Sequence, residues 1–187
     1  MYPSRIVISI PETRLKSILG KDSWFIREVE KVTGTKITVK RETGEITIDV
    51  DKDSRQSDII RAREMIQAYG YGFDPNDTLR LRDPDTFMEI INLKDYLSSS
   101  NDITRVKGRI IGAGGKTKST IIEFTGASIS ISNNEVVIIG NFEQLQAAKR
   151  AIEMLIDGSP HTAVYRFLER FKSAQKIRSL KSLGGEA

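Results

Sequence analysis

Arg109 to Ser119 reads RIIGAGGKTKS, two isoleucines running into glycines and then into lysine and threonine. Together these residue types point to one chemistry. Glycines bare the backbone amides and lysine adds positive charge, so the stretch is suited to holding phosphate. A nucleotide-binding P-loop needs G-x-x-x-x-G-K-[ST], with its amides wrapped around a polyphosphate. Gly115-Lys116-Thr117 supplies the end of that pattern, but Ile110 stands where its first glycine belongs. No strand leads directly into it either. G-x-G-x-x-G fails too, because position 117 is threonine. What fits is G-x-x-G, Gly112-Ala113-Gly114-Gly115, joining two short helices. The second helix then presents unpaired amides and its positive dipole end to an anion, with Lys116 beside them. A plain turn is the competing reading.

The surroundings argue for more than a turn. Arg105, Lys107, Arg109, Lys116 and Lys118 lie between Ile103 and Ile122, with no acid among them. Such a cluster suits a sugar-phosphate backbone running past the loop, its bases falling into an apolar groove alongside. Ile110, Ile111 and Ile121 are the expected wall on one side, Ile129 and Ile131 on the other. Core packing competes for Ile121 and for one of the strand pair. A second basic stretch runs from Arg166 to Lys181, and the 187-residue chain carries a net charge of +4. That is a mild basic lean toward nucleic acid.

Other chemistries find little support. His161 is the only histidine and cysteine is absent, so neither a zinc site nor a disulfide is expected, and no metal or cofactor. A histidine beside Pro160 at a helix start reads as a cap or a packing residue. Asp49, Asp51 and Asp53 share one face at a strand end, where Mg²⁺ could sit, but a solvated turn explains them. A nucleotide hydrolase would require turnover dependent on Lys116. No apolar run approaches a membrane span, and the opening MYPSRIVISIPETR does not read as a signal peptide. The expected location is the cytoplasm.

The elements that position the loop emerge from an internal repeat. ILGKDSWFIREVEKVTGTKITV, from Ile18, aligns without gaps on IIGAGGKTKSTIIEFTGASISI, from Ile110. Gly20 meets Gly112, Val29 meets Ile121, and Thr33-Gly34 meets Thr125-Gly126. The periodicity predicts a helix after each loop, ended by Gly34 and Gly126. Strands are expected at 5–10, 35–39, 45–49, 88–93, 127–131 and 135–139, and closing helices near 54–69 and 142–156. Each copy runs strand, helix, loop, helix, strand, strand, helix. Tyr69 to Thr86 reads as a connecting loop. Val164, Phe167, Leu168 and Phe171 share one face of a last helix, expected to dock at its start and fray at its end.

I-I-G-x-x-G, a helix, Thr-Gly and then I-x-I form the pattern of KH domains. The chain resembles two tandem type I KH domains (βααββα), an α+β fold in which each three-stranded antiparallel sheet is backed by helices. The expected divisions are 1–75 (first KH domain, degenerate loop), 76–86 (linker), 87–160 (second KH domain, intact loop) and 161–187 (C-terminal helix and basic tail). MEIINLKDYLSSSNDITRVKGRIIGAGGKTKSTIIEFTGASISI and the later GSPHTAVYRFLER are similar to the archaeal and eukaryotic partner-of-Nob ribosome-assembly family. The resemblance covers nearly the whole chain, most strongly Met88 to Arg170. It implies a non-catalytic factor that binds single-stranded rRNA near the 3′ end of the small-subunit precursor. It also implies contact with the Nob endonuclease and, in archaea, with the α subunit of initiation factor two. The second copy's RNA-binding residues would be Arg105, Lys107, Arg109, Ile110, Ile111, Gly112, Ala113, Gly114, Gly115, Lys116, Lys118, Ile129 and Ile131. The first copy departs from the pattern, with Ser23 where the second glycine belongs. Ser23 can still cap the next helix, but close backbone approach is lost, and Asp22 would face a phosphate. Gly20, Lys21, Ser23, Trp24 and Arg27 are therefore expected to contact RNA more weakly, Trp24 as a stacking platform or a packed aromatic. A different class of function, a protein-interaction scaffold with little RNA contact, fits the same fold.

Overall fold

Short runs of alternating β-branched residues build the strands of this chain, and left-handed glycines end several of its helices. The computed structural model describes residues 4–50 and 56–183 and divides into two units, Met1–Met88 and Glu89–Ala187. Asp51, Asp53 and the expected helix start at Ser54 lie outside the described residues.

The first unit runs β1 (Arg5–Ser9), α1 (Glu12–Leu19), α2 (Ser23–Thr33), β2 (Thr35–Val39), β3 (Glu45–Val50) and α3 (Gln56–Gly70). Its three-stranded antiparallel sheet has the order β1-β3-β2, with Ile6 and Ile37 both opposite Ile48. Ile46 and Ile48 of the central strand are fully buried, as are Phe25 and Val29 of α2 and Ile59, Met65 and Ile66 of α3. Gly34 ends α2 at φ 62°, its N–H donating to the Glu30 carbonyl at 2.8 Å. Removing side chains like these from water is the main force holding each unit together.

Tyr69 ties α3 to the loop between α1 and α2. It is fully buried and donates its hydroxyl to Asp22 Oδ2 at 2.6 Å. Burial first, and that hydrogen bond second, push the hydroxyl up to about 12, against the nearby Arg14 guanidinium. An ultraviolet titration should therefore show one tyrosine ionising well after the usual value near ~10. Because the folded-state value is raised, the stabilisation is complete below ~10 and is lost as pH climbs through about 12. Late absorbance that persists in Tyr69→Phe would refute the assignment.

The stretch expected as a connecting loop folds instead. Asp74 caps α4 (Pro75–Leu79), accepting from the Asn76 N–H at 2.9 Å, and a 3₁₀ turn, Arg80–Arg82, follows. Pro75, Thr78 and Leu81 are buried, and the Arg61 guanidinium of α3 donates to the carbonyls of Leu81 and Asp83. Proline at a first helical position after an aspartate cap is a helix-start signal, which explains the difference.

The second unit's sheet begins with β4 (Thr86–Asn92). Then come α5 (Ser100–Ile111), α6 (Lys116–Thr125), β5 (Ser128–Ser132), β6 (Glu135–Asn141), α7 (Phe142–Ile156) and α8 (His161–Leu183). The sheet order is β4-β6-β5, the same pattern as in the first unit. The additional residues before α5 are anchored at both ends. Leu93 is fully buried and its N–H donates to the Asn134 carbonyl at 2.8 Å. Ser99 caps α5, accepting from the Asp102 N–H at 3.0 Å while donating to the Asp102 carboxylate at 2.7 Å. Asn141 and Gln144 form a reciprocal capping box at the start of α7. Val164 and Leu168 bury one stripe of α8 in the core shared with α6 and α7. The end expected to fray continues as helix to Leu183, and Arg178 donates to Glu143 at 2.6 Å.

Candidate nucleic-acid interface

The glycine loop is a helix–turn–helix junction that only glycine can make. α5 stops where Gly112 adopts φ 75°, ψ 170°, a region essentially closed to other residues. Gly114 at φ 57° and Gly115 at φ 81° are both left-handed, and the Gly115 N–H donates back to the Gly112 carbonyl at 3.1 Å. α6 starts at once with Lys116, and no side chain caps it. Its first amides are therefore available to an anion. A Cβ at Gly114 or Gly115 would meet nothing within 4 Å, whereas one at Gly112 would lie 2.2 Å from Thr117 Oγ1. Gly112 shapes the junction; Gly114 and Gly115 leave its outer surface open.

The expected basic residues divide by flank. Lys107 donates to the carbonyl of Asn133, in the β5–β6 turn. Arg109 points the other way, donating to the Leu155 carbonyl at 3.3 Å and the Ser159 carbonyl at 2.6 Å beyond α7. Arg105 pairs with Asp102 at 3.1 Å on the exposed helix surface. Lys116 is exposed and Lys118 half-buried, and neither forms an ion pair among the described residues. Ala113 is exposed at the tip of the loop.

The expected apolar wall needs correction. Ile110 is fully buried, one turn beyond Val106 on the core stripe of α5, so its side chain packs the helix and cannot line an open groove. Ile121 is likewise fully buried, and Ile129 is 4% exposed. Ile111, one step further round α5, is 39% exposed, and Ile131 is partly buried. Ile111 is thus the apolar residue that remains at the surface beside the glycines.

The first unit's loop is built differently. Gly20 sits at φ −113°, outside the left-handed region, and the turn closes through the Asp22 N–H to the Ser17 carbonyl at 2.9 Å. Ser23 does not cap α2. It is the helix's first residue, the cap position falls to Asp22, and the Asp22 carboxylate is held by Tyr69. Lys21, Trp24 and Arg27 are exposed, Trp24 with its ring edge-on to Phe25 at 6.4 Å between centroids.

Among the described residues no cluster of three or more His, Asp or Glu could hold a metal ion. No described helix is long and apolar enough to cross a membrane. Comparison with known proteins gives the family. The model of the eukaryotic-type KH domain (type I) of PNO1, its second such domain, matches residues 87–173. A KH domain-containing protein of Methanocaldococcus jannaschii is 38% identical over 92% of this chain and 75% of its own length. The RNA-binding protein pno1 of Drosophila melanogaster is 30% identical over 84% of this chain and 67% of its own. The chain belongs to the PNO1 family of KH proteins. Members of the PNO1 family carry the names RNA-binding protein and, in Debaryomyces hansenii, pre-rRNA-processing protein; it is not a known enzyme family. Among solved structures, the a/eIF2alpha–aDim2p–rRNA complex from Pyrococcus horikoshii contains a chain that matches at 42% identity and a TM-score of 0.80. The match covers 91% of this chain and 94% of that one.

In this PNO1-family chain the loop has a support that its own sequence did not reveal. Thr117 Oγ1 lies 3.0 Å from the Tyr165 hydroxyl on α8, and His161 Nε2 lies 3.0 Å from the Arg109 carbonyl. The carbonyl can only accept, so Nε2 carries the proton. The signal was limited to the GSPHTAVYRFLER segment itself, whose aromatic and histidine lie far along the chain from the loop they touch.

Proposed function

We propose that this chain is a non-catalytic ribosome-assembly factor that holds single-stranded rRNA near the 3′ end of the small-subunit precursor. In this reading it is a cytoplasmic pair of tandem KH domains, 1–75 and 87–160, joined by 76–86 and followed by the C-terminal helix and basic tail, 161–187. The repeated element order and sheet order of the two units support the pairing. The second domain does the clamping, with Gly112 to Gly115, Ile111, Lys107, Lys116 and Lys118 along the strand and Arg105 and Arg109 adding charge. The observation that carries the proposal is the open face of Gly114 and Gly115 at an uncapped helix start beside Lys116, which is exposed and forms no ion pair among the described residues. Such a loop accommodates about four nucleotides of backbone.

The first domain makes weaker contacts through Gly20, Lys21, Ser23, Trp24 and Arg27, because its loop lacks left-handed glycines. The missing left-handed glycines leave a second role for this domain, as a protein-docking surface. The partners we infer are the Nob-type endonuclease, which the chain assists by presenting its substrate, and the α subunit of initiation factor two. The scaffold reading keeps these partners and drops the RNA.

The test is equilibrium binding to a single-stranded RNA copied from the precursor's 3′ region, across a range of salt. Three or four phosphate contacts predict a log–log slope of about −2 to −3. A duplex of the same sequence is expected to compete poorly. Binding to the endonuclease with no measurable affinity for the RNA would decide for the scaffold.

A further inference from the structure

The two flanks of α5 are not equivalent. Toward Lys107 and the β5–β6 turn lies the groove expected for bases. Toward Arg109, α5, the glycine loop and the first turns of α8 enclose a separate cleft of ≈ 440 Å³. Its lining includes Arg105, Gly108, Arg109, Lys116, His161 and Tyr165. We propose that this cleft is a second RNA subsite, taking one nucleotide of the strand as it passes off the loop. The inference rests on the RNA-binding reading of that loop.

Size and charge both favour a nucleotide. The volume falls within the range of about 300–1,000 Å³ common for small-molecule sites, too small for a duplex. The lining residues carry three cationic side chains and no carboxylate. Arg109 donates to the Leu155 and Ser159 carbonyls and has no carboxylate partner among the described residues. The Arg105–Asp102 pair is solvent-exposed, and such a pair exchanges readily for a phosphate.

The far wall supplies aromatic rings. His161 and Tyr165 sit one turn apart on α8, ring centroids 6.2 Å apart and tilted by 53°. Rings so placed give an adjacent base a surface to stack on. With Nε2 of His161 bound to the Arg109 carbonyl, Nδ1 is left for a polar atom of a base or a 2′-hydroxyl. Gly108 lies between the two flanks. A Cβ built there meets nothing within 4 Å, so packing within the protein does not account for a glycine in mid-helix. A bare helix surface does suit a backbone that crosses from groove to cleft. Gly112, Ala113 and Lys116 line the cleft as well as the loop, so one continuous strand can occupy both.

Single-stranded RNAs of four and eight nucleotides from the 3′ end of small-subunit rRNA test this, titrated at several salt concentrations. The longer RNA is expected to bind more tightly, with a slope steeper by about 0.7 for each added phosphate contact. Gly108→Glu, outside the loop's own contacts, should bar the strand from the cleft, shrink the affinity advantage of the longer RNA by about tenfold and bring the two slopes together. In the unmodified protein, 4-thiouridine outside the four loop-bound positions should cross-link to Tyr165 or His161. An equal loss for both RNAs, no loss for either, or cross-links confined to the Lys107 flank would overturn the subsite and leave the loop assignment standing. Wild-type protein that bound neither RNA would overturn both.

Discussion

Changing Gly114 and Gly115 together to aspartate is expected to lower affinity for single-stranded RNA by about 100-fold or more while the fold survives. Each hydrogen bond from an amide to a charged phosphate contributes about 1.5–3 kcal/mol, so losing two costs at least two orders of magnitude. Two carboxylates would also repel the strand they face. The cost to the fold is smaller. Both positions are left-handed, at φ 57° and 81°, and neither has an atom within 4 Å of an added Cβ. A non-glycine residue there costs about 1–2 kcal/mol, and aspartate is among the residues that tolerate it best. Domains are typically stable by about 5–15 kcal/mol, so the variant should remain folded. Asparagine at both positions is the control. It imposes the same backbone cost without the charge and should lose much less affinity. If the aspartate variant binds RNA as the wild type does, the loop is not the clamp.

The glycine loop and its degenerate copy are legible in the amino-acid sequence alone. The repeat aligned Gly20 with Gly112 and marked Ser23 as the weak copy, and periodicity placed the strands to within a residue or two. Local pattern reaches that far because side-chain alternation and glycine stops act over a few residues. It did not separate Ile110 from Ile111. Both are isoleucines beside the loop, and only the rotation of α5 against the sheet sends one into the core and leaves the other at the surface. Nor could it see that Thr117 meets Tyr165, a contact between residues 48 apart in sequence. That contact exists because α8 packs across α6 and α7, a tertiary fact that no window along the chain contains. The helix at Pro75 is a different case. Its Asp-Pro start signal was present in GFDPNDT, but the surrounding glycine and aspartate favoured a loop reading.

Gly112→Ala should be the most damaging single-methyl change in the second unit. It tests whether the junction is rigid. At φ 75°, ψ 170° the backbone itself resists any side chain, at about 1–3 kcal/mol. The new Cβ would also lie 2.2 Å from Thr117 Oγ1 and 2.7 Å from the Thr117 backbone nitrogen. Relieving the second contact means shifting the first turn of α6, which carries buried Ile121 and the Thr117–Tyr165 bond with it. Overpacking of this kind adds about 1–3 kcal/mol, giving a total of roughly 2–6 kcal/mol. Gly115→Ala meets no neighbour and should cost only about 1–2 kcal/mol. Hydrogen exchange of the α6 amides under increasing urea reports the second unit directly and should rank the two variants in that order. Adding Thr117→Ala to Gly112→Ala should rescue little, since it relieves the clash with the hydroxyl and leaves the one with the backbone. Equal stability of Gly112→Ala and Gly115→Ala would mean that the α5–α6 junction yields. The loop would then reach its phosphate-binding shape only with RNA in place, and affinity for RNA would fall in Gly112→Ala without any loss of α6 protection.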